Sequence, residues 1–198
     1  MKIRTQFTNR ILSLVLTVVM VLGMLPISSL TTYAAENTST APTINLYVNG
    51  LQVTDSQGST DGLTTSEPTA GWSYDPSTST LTLTNAVITK GGGSYGAAIY
   101  WTGGDLAIEL VGANTVDVDF DFPIFYKADT NDRALTIKGP GQLNVNGGIY
   151  HEYSTGEGKI AIVDGAVIKT TEISGLGDVI ISDSTVIAEG SGCAGIYS

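Results

Sequence analysis

The stretch Leu135–Tyr150, LTIKGPGQLNVNGGIY, holds three short apolar runs: Leu135-Thr136-Ile137, Leu143/Val145 and Gly148-Ile149-Tyr150. Gly139-Pro140-Gly141 and Asn146-Gly147 punctuate them, the pattern of short strands joined by turns. The first run recurs as Leu81-Thr82-Leu83, Leu106-Ala107-Ile108, Ile160-Ala161-Ile162 and Val179-Ile180-Ile181. The second recurs as Val87-Ile88, Val116/Val118, Val167-Ile168 and Val186-Ile187. The third recurs as Ala98-Ile99-Tyr100, Pro123-Ile124-Phe125-Tyr126, Glu172-Ile173-Ser174 and Gly195-Ile196-Tyr197. Its isoleucines lie at 99, 124, 149, 173 and 196, at intervals of 25, 25, 24 and 23 residues.

Three strands per repeat, with a period in the twenties, is what one coil of a β-solenoid requires. Such a repeat has too little apolar area to fold alone. It completes its backbone hydrogen bonds with the coils above and below, and its inward Val, Ile and Leu stack into one continuous core. The chain is therefore expected to be all-β, a right-handed parallel β-helix over residues 44–198. A β-sandwich is the alternative, since it also has short strands and frequent turns, but it does not require the third run to recur at near-constant spacing.

Upstream of the repeats the pattern changes to hairpins. Ile44, Leu46 and Val48 alternate, Asn49-Gly50 offers a type I′ turn, and Leu51 and Val53 resume. Trp72 and Tyr74, the turn Asp75–Ser79 and the strand Leu81–Asn85 make a second hairpin. Together they are expected to cap the N-terminal end of the solenoid. The chain stops at Gly195-Ile196-Tyr197-Ser198 in mid-repeat, so the reading expects a piece of a longer surface protein.

Residues 1–35 read as a secretory signal peptide. Lys2, Arg4 and Arg10 form a basic start, Ile11–Leu25 an apolar core too short for an ordinary bilayer span, and Ala34 and Ala35 suit cleavage. An uncleaved anchor is the alternative. Residues 36–43, ENTSTAPT, read as a linker. The expected product is secreted or exposed on a Gram-positive cell surface, with no membrane contact after cleavage, as a monomer or part of a longer chain.

Charge and composition narrow the function. Removing the leader leaves six basic residues against nineteen acidic ones, a charge of −13, which argues against a nucleic-acid partner. One cysteine, Cys193, allows no internal disulfide and reads as a small core residue, and one histidine excludes Cys/His zinc sites. His151 has no Ser-centred elbow near it, and Gly91-Gly92-Gly93 lacks the Lys and Ser/Thr of a phosphate loop.

Two groups of residues are candidates for binding. In the third run the Ile should face inward and the aromatic outward. Tyr100, Tyr126, Tyr150 and Tyr197 are then expected as an external column, broken at Ser174, with Trp101 and Tyr153 close by. Aromatic faces along a groove suit sugar rings, although such a column also ladders a solenoid for stability alone. Asp117, Asp119 and Asp121 are expected on one strand face, opposite Val118 and Phe120, as hard oxygen ligands suited to Ca²⁺. They lack the Gly and distal Glu of an EF-hand, and a solvated acidic surface is the alternative reading.

Gly71-Trp72-Ser73-Tyr74-Asp75-Pro76, Thr80–Asn85 and Asp105–Val116 (DLAIELVGANTV) resemble secreted β-solenoid proteins of clostridia and related gut bacteria. Within that set the pectate-lyase-like carbohydrate-binding family of cellulose and pectin binders, which the chain resembles, is a functional precedent. The resemblance implies a right-handed parallel β-helix, plant-polysaccharide binding without cleavage, and bound calcium. The related pectin-cleaving enzymes use a catalytic Arg with clustered Asp, or Asp pairs with Gly-His-Gly and Arg-x-Lys. Here the single Arg beyond residue 10 is Arg133, in Asn-Asp-Arg-Ala, and neither motif occurs. The expected function is non-catalytic polysaccharide binding. The alternatives are a structural or adhesin repeat of a larger envelope protein, and a polysaccharide lyase or glycoside hydrolase.

Overall fold

The computed structural model describes residues 45–53, 71–93, 95–130, 132–153, 158–175, 177–190 and 195–197. All belong to one compact unit spanning Pro42–Ser198. The expected signal peptide, the linker and Cys193 lie outside the described residues. Among the described residues every regular element is a strand, and no helix is long and apolar enough to cross a membrane.

The strands form a parallel β-helix with three sheets. The first coil contains β4 (Thr80–Thr84), β5 (Val87–Ile88) and β6 (Ile99–Gly103), preceded by β1 (Leu46–Val48), β2 (Leu51–Gln52) and β3 (Gly71–Asp75). The second has β7 (Leu106–Val111), β8 (Ala113–Val116) and β9 (Ile124–Ala128). The third has β10 (Ala134–Lys138), β11 (Gln142–Val145) and β12 (Gly148–Tyr153). The fourth has β13 (Gly158–Ile162), β14 (Val167–Thr170) and β15 (Glu172–Gly175). The fifth has β16 (Gly177–Ile181), β17 (Thr185–Ala188) and β18 (Gly195–Tyr197). Equivalent strands stack in parallel as β4-β7-β10-β13-β16, β5-β8-β11-β14-β17 and β6-β9-β12-β15-β18. Four turns separate β4 from β16.

The stacking register follows the inward side chains. Ile99, Ile124, Ile149, Ile173 and Ile196 are direct partners along the β6–β18 sheet. The first four are buried, each contributing roughly 1.5–3 kcal/mol of apolar burial. Leu106, Leu135, Ile160 and Val179 likewise stack through the β7–β16 sheet. The first coil departs from the expected alignment: Leu81 pairs with Ile108, not Leu106. A two-residue offset leaves the same side chains pointing inward, because strand parity repeats every two residues. Among the described residues nothing stacks on the fifth coil, so Ile181 and Ile196 continue buried columns yet are exposed.

Both hairpins form as expected. β1 and β2 pair antiparallel through Asn49 and Gly50, at φ 52° and 81°, the left-handed pair that a type I′ turn demands. Asn49 Oδ1 also accepts hydrogen bonds from the backbone N–H groups of Thr89 and Lys90, tying the turn to the first coil. β3 pairs antiparallel with β4, and β1 with β6, so two sheets begin with an antiparallel strand.

Three polar residues, Asn114, His151 and Thr170, are buried among the described residues. Asn114 takes the inward position in register with Leu143 and is buried. Its Oδ1 accepts from Ala86 N–H, and its Nδ2 donates to the carbonyls of Val111 and Gln142. A single amide side chain thereby joins three successive coils, with its polar atoms satisfied.

Candidate functional site

Strand parity decides which aromatics reach the surface. Partners of the outward Tyr100 run Phe125, Tyr150, Ser174 and Tyr197. Tyr126 is one residue further along and faces inward, so the expected tyrosine column contains Phe125 in its place. Tyr126 is 1% exposed and stands in an interior row with Trp101 and His151. The Trp101 Nε1–H and the Tyr126 hydroxyl both donate to the Gly104 carbonyl at 2.8 Å. Burial raises the Tyr126 hydroxyl pKa far above the ordinary phenol value. Trp101 and Tyr126 thus hold the corner at Gly104 and present no face to a ligand.

The outward row is itself partly covered. Tyr95 stacks on Phe125 at 4.5 Å and lies 5.8 Å from Tyr100, while Phe122 lies 4.8 Å from Tyr150. Tyr47 from β1 also approaches Tyr100, at 6.1 Å. Under these neighbours Tyr100 is 7% and Phe125 5% exposed. The row opens from the third coil to the fifth: Tyr150 and Ser174 are half-buried and Tyr197 is 45% exposed. The backbone of Tyr153 pairs with Ala128 at the end of β12, and its side chain lies outside the described residues.

Asp117, Asp119 and Asp121 follow β8 in a connecting loop rather than on a strand. The alternation still operates: Val118 packs on the main core, Phe120 and Phe122 join the outer aromatic cluster, and the three carboxylates face solvent. Asp117 accepts a hydrogen bond from Asn146 Nδ2 at 2.8 Å. Among the described residues, no three His, Cys, Asp or Glu side chains are gathered in a way that could hold a metal ion.

A polar cleft of about 360 Å³ lies beside this loop. Asp117, Asn144, Asn146, Lys169, Thr171 and Glu189 contribute to its walls. Asn144 and Lys169 are register partners on the outer face of β11 and β14, and Lys169 Nζ is 3.3 Å from Glu189 Oε2. This exposed ion pair contributes little to stability, so its groups are free to exchange partners with a ligand. Nothing in the sequence marked the cleft, because its members come from the ends of strands and the residues just after them in successive coils and share no motif.

The remaining candidates for chemistry are occupied structurally. His151 is buried among Tyr126, Gly158 and Gly175, and burial holds its pKa down to about 4. The Arg133 guanidinium lies 3.2 Å from Asp129 and 3.8 Å from Asp105, and donates to Thr130 Oγ1. No protein-family model, curated protein or solved structure matches the chain.

Proposed function

We propose that this protein is an exported, non-catalytic module that binds polysaccharide. The observation that carries the reading is the cleft, whose walls offer amide, hydroxyl, ammonium and carboxylate groups stacked coil over coil. A linear glycan presents hydroxyls at regular spacing, and hydrogen bonds to such groups give orientation and specificity. The open half of the outward aromatic row supplies the apolar contact that sugar C–H faces require. Burial of His151 and engagement of Arg133 by two aspartates support binding without cleavage.

Affinity electrophoresis tests this directly. Native gels containing hydroxyethylcellulose, xylan or pectin, each with added calcium and with chelator, should show retardation in at least one polysaccharide. Asn144→Ala and Lys169→Ala should weaken it. No retardation in any gel contradicts the reading, and new reducing ends or unsaturated products contradict its non-catalytic part. A second reading, a structural or adhesin repeat of a larger envelope protein, is favoured by the covering of Tyr100 and Phe125 by the chain's own side chains. It predicts no retention on any glycan.

A further inference from the structure

Core columns that are buried in the fourth coil come to the surface in the fifth. Ile162 and Ile173 are fully buried, while their register partners Ile181 and Ile196 are 41% and 44% exposed. Outward positions change character at the same level. The row Ala107, Thr136, Ala161 ends in Ile180, and the row Thr115, Asn144, Lys169 ends in Ile187, both exposed. Of the nine exposed large apolar side chains among the described residues, five belong to the fifth coil.

The strand edges of this coil are open as well. Thr185 and Glu189 donate their N–H groups back to the carbonyls of Ala166 and Thr170, and Ser182 donates to Ile162. Successive N–H groups along a strand point opposite ways, so those of Ile181, Val186 and Ala188 face away from the fourth coil. The strands β16, β17 and β18 (GDVII, TVIA and GIY) carry no Lys, Arg or Pro, and Asp178 is their one charge. They lack the residues that ordinarily blunt an exposed sheet edge. The other end of the solenoid is covered: β3 and β1 lie antiparallel on two of its three sheets, with Trp72 and Tyr74 buried.

We propose that the open face of the fifth coil joins two copies of this protein end to end, across a two-fold axis. Three strand edges around one core face the same way, and an extended peptide pairs with only one of them. A second fifth coil, turned over by the two-fold, offers three edges in a matching arrangement, each running antiparallel to the strand it meets. Ile181 and Ile196 of the two copies then share one core, as the inward side chains of successive coils do. The covered N-terminal end offers no such face. The contact therefore uses the same patch on both copies and closes at a dimer. From Gly177 to Tyr197 the coil has 21 residues, within the roughly 20–30 per side of a standard stable interface.

Sedimentation velocity of the full chain over a wide range of concentration tests this, and the expected species is a dimer. Ile181→Lys and Ile196→Lys each place an ammonium in the contact and should weaken dimerisation by about tenfold or more. Leu51→Lys, at the opposite end, should leave it unchanged. Should the lysine variants fail to fold, amide hydrogen exchange of the wild type decides: Ile181, Val186 and Ala188 should be protected in the dimer and exchange freely on dilution to monomer. A monomer at every concentration overturns the proposal, including one whose edge amides are protected by its own chain. A dimer held by another part of the chain keeps its affinity in both folded lysine variants, and that result overturns it too. So does association that continues past the dimer, or free exchange of the three amides within it.

Discussion

Gly158 lies against the imidazole of His151 so closely that a Cβ on the glycine would overlap the ring. A Cβ on Gly177, the register partner of Gly158, would overlap the Gly158 carbonyl in turn. The third, fourth and fifth coils therefore close around His151 only because these positions carry no side chain. Gly158→Ala should destabilise the fold by about 2 kcal/mol or more, as overpacked cores do. The shift in urea midpoint measures it, and a midpoint equal to that of wild type would contradict the packing.

His151 also makes stability depend on pH. Its folded pKa is held at about 4 by burial, against an unfolded value of about 6.5. As pH falls between those values the unfolded chain binds a proton that the folded chain does not. Stability is therefore lost as pH drops through that window, by at most about 3 kcal/mol from this group. Urea denaturation across the window should show the slope in wild type and a shallower one in His151→Phe. Equal slopes would remove His151 as the cause.

Asn114 is the polar counterpart of this packing. Asn114→Ala would leave an N–H and two carbonyls of three coils without their buried partner. The expected cost is about 2–4 kcal/mol. Asn114→Asp should also destabilise, because it buries a charge and loses both donated bonds. Chemical denaturation of the two variants checks this, and wild-type stability in either would contradict the bridging role.

Tyr126 and Trp101 should behave as core residues. Tyr126→Ala and Trp101→Ala are expected to lose about 3–5 kcal/mol of stability. Tyr126→Phe, which deletes the bond to the Gly104 carbonyl, should lose about 1 kcal/mol. All three should bind glycan as wild type does wherever they remain folded, measured in the same polysaccharide gels. Selective loss of binding in folded Tyr126→Phe would place that ring at the surface.

The near-constant spacing of Ile99, Ile124, Ile149, Ile173 and Ile196 was enough to read the fold from sequence, because each is an inward side chain that must meet the next. The outward row was misread at one rung. Tyr126 attracts attention as a tyrosine, yet parity counted from Ile124 selects Phe125, and applying it would have corrected the column. Covering of that row by Tyr95 and Phe122 could not be read, since it depends on where connecting loops fold back. The two-residue offset of β4 was hidden because Leu81-Thr82-Leu83 fits either register with the same faces buried. Asn114 sits in VGANTV, where an asparagine looks like a turn residue until its three coil partners are in place.

The register of the outward row underlies the whole account, and ring-to-ring proton contacts measured by nuclear Overhauser spectroscopy test it most directly. Contacts are expected from Phe125 to both Tyr100 and Tyr150, and from Tyr126 to His151. Contacts from Tyr126 to Tyr100 and Tyr150, or cross-strand contacts of a two-layer antiparallel sandwich, would contradict it.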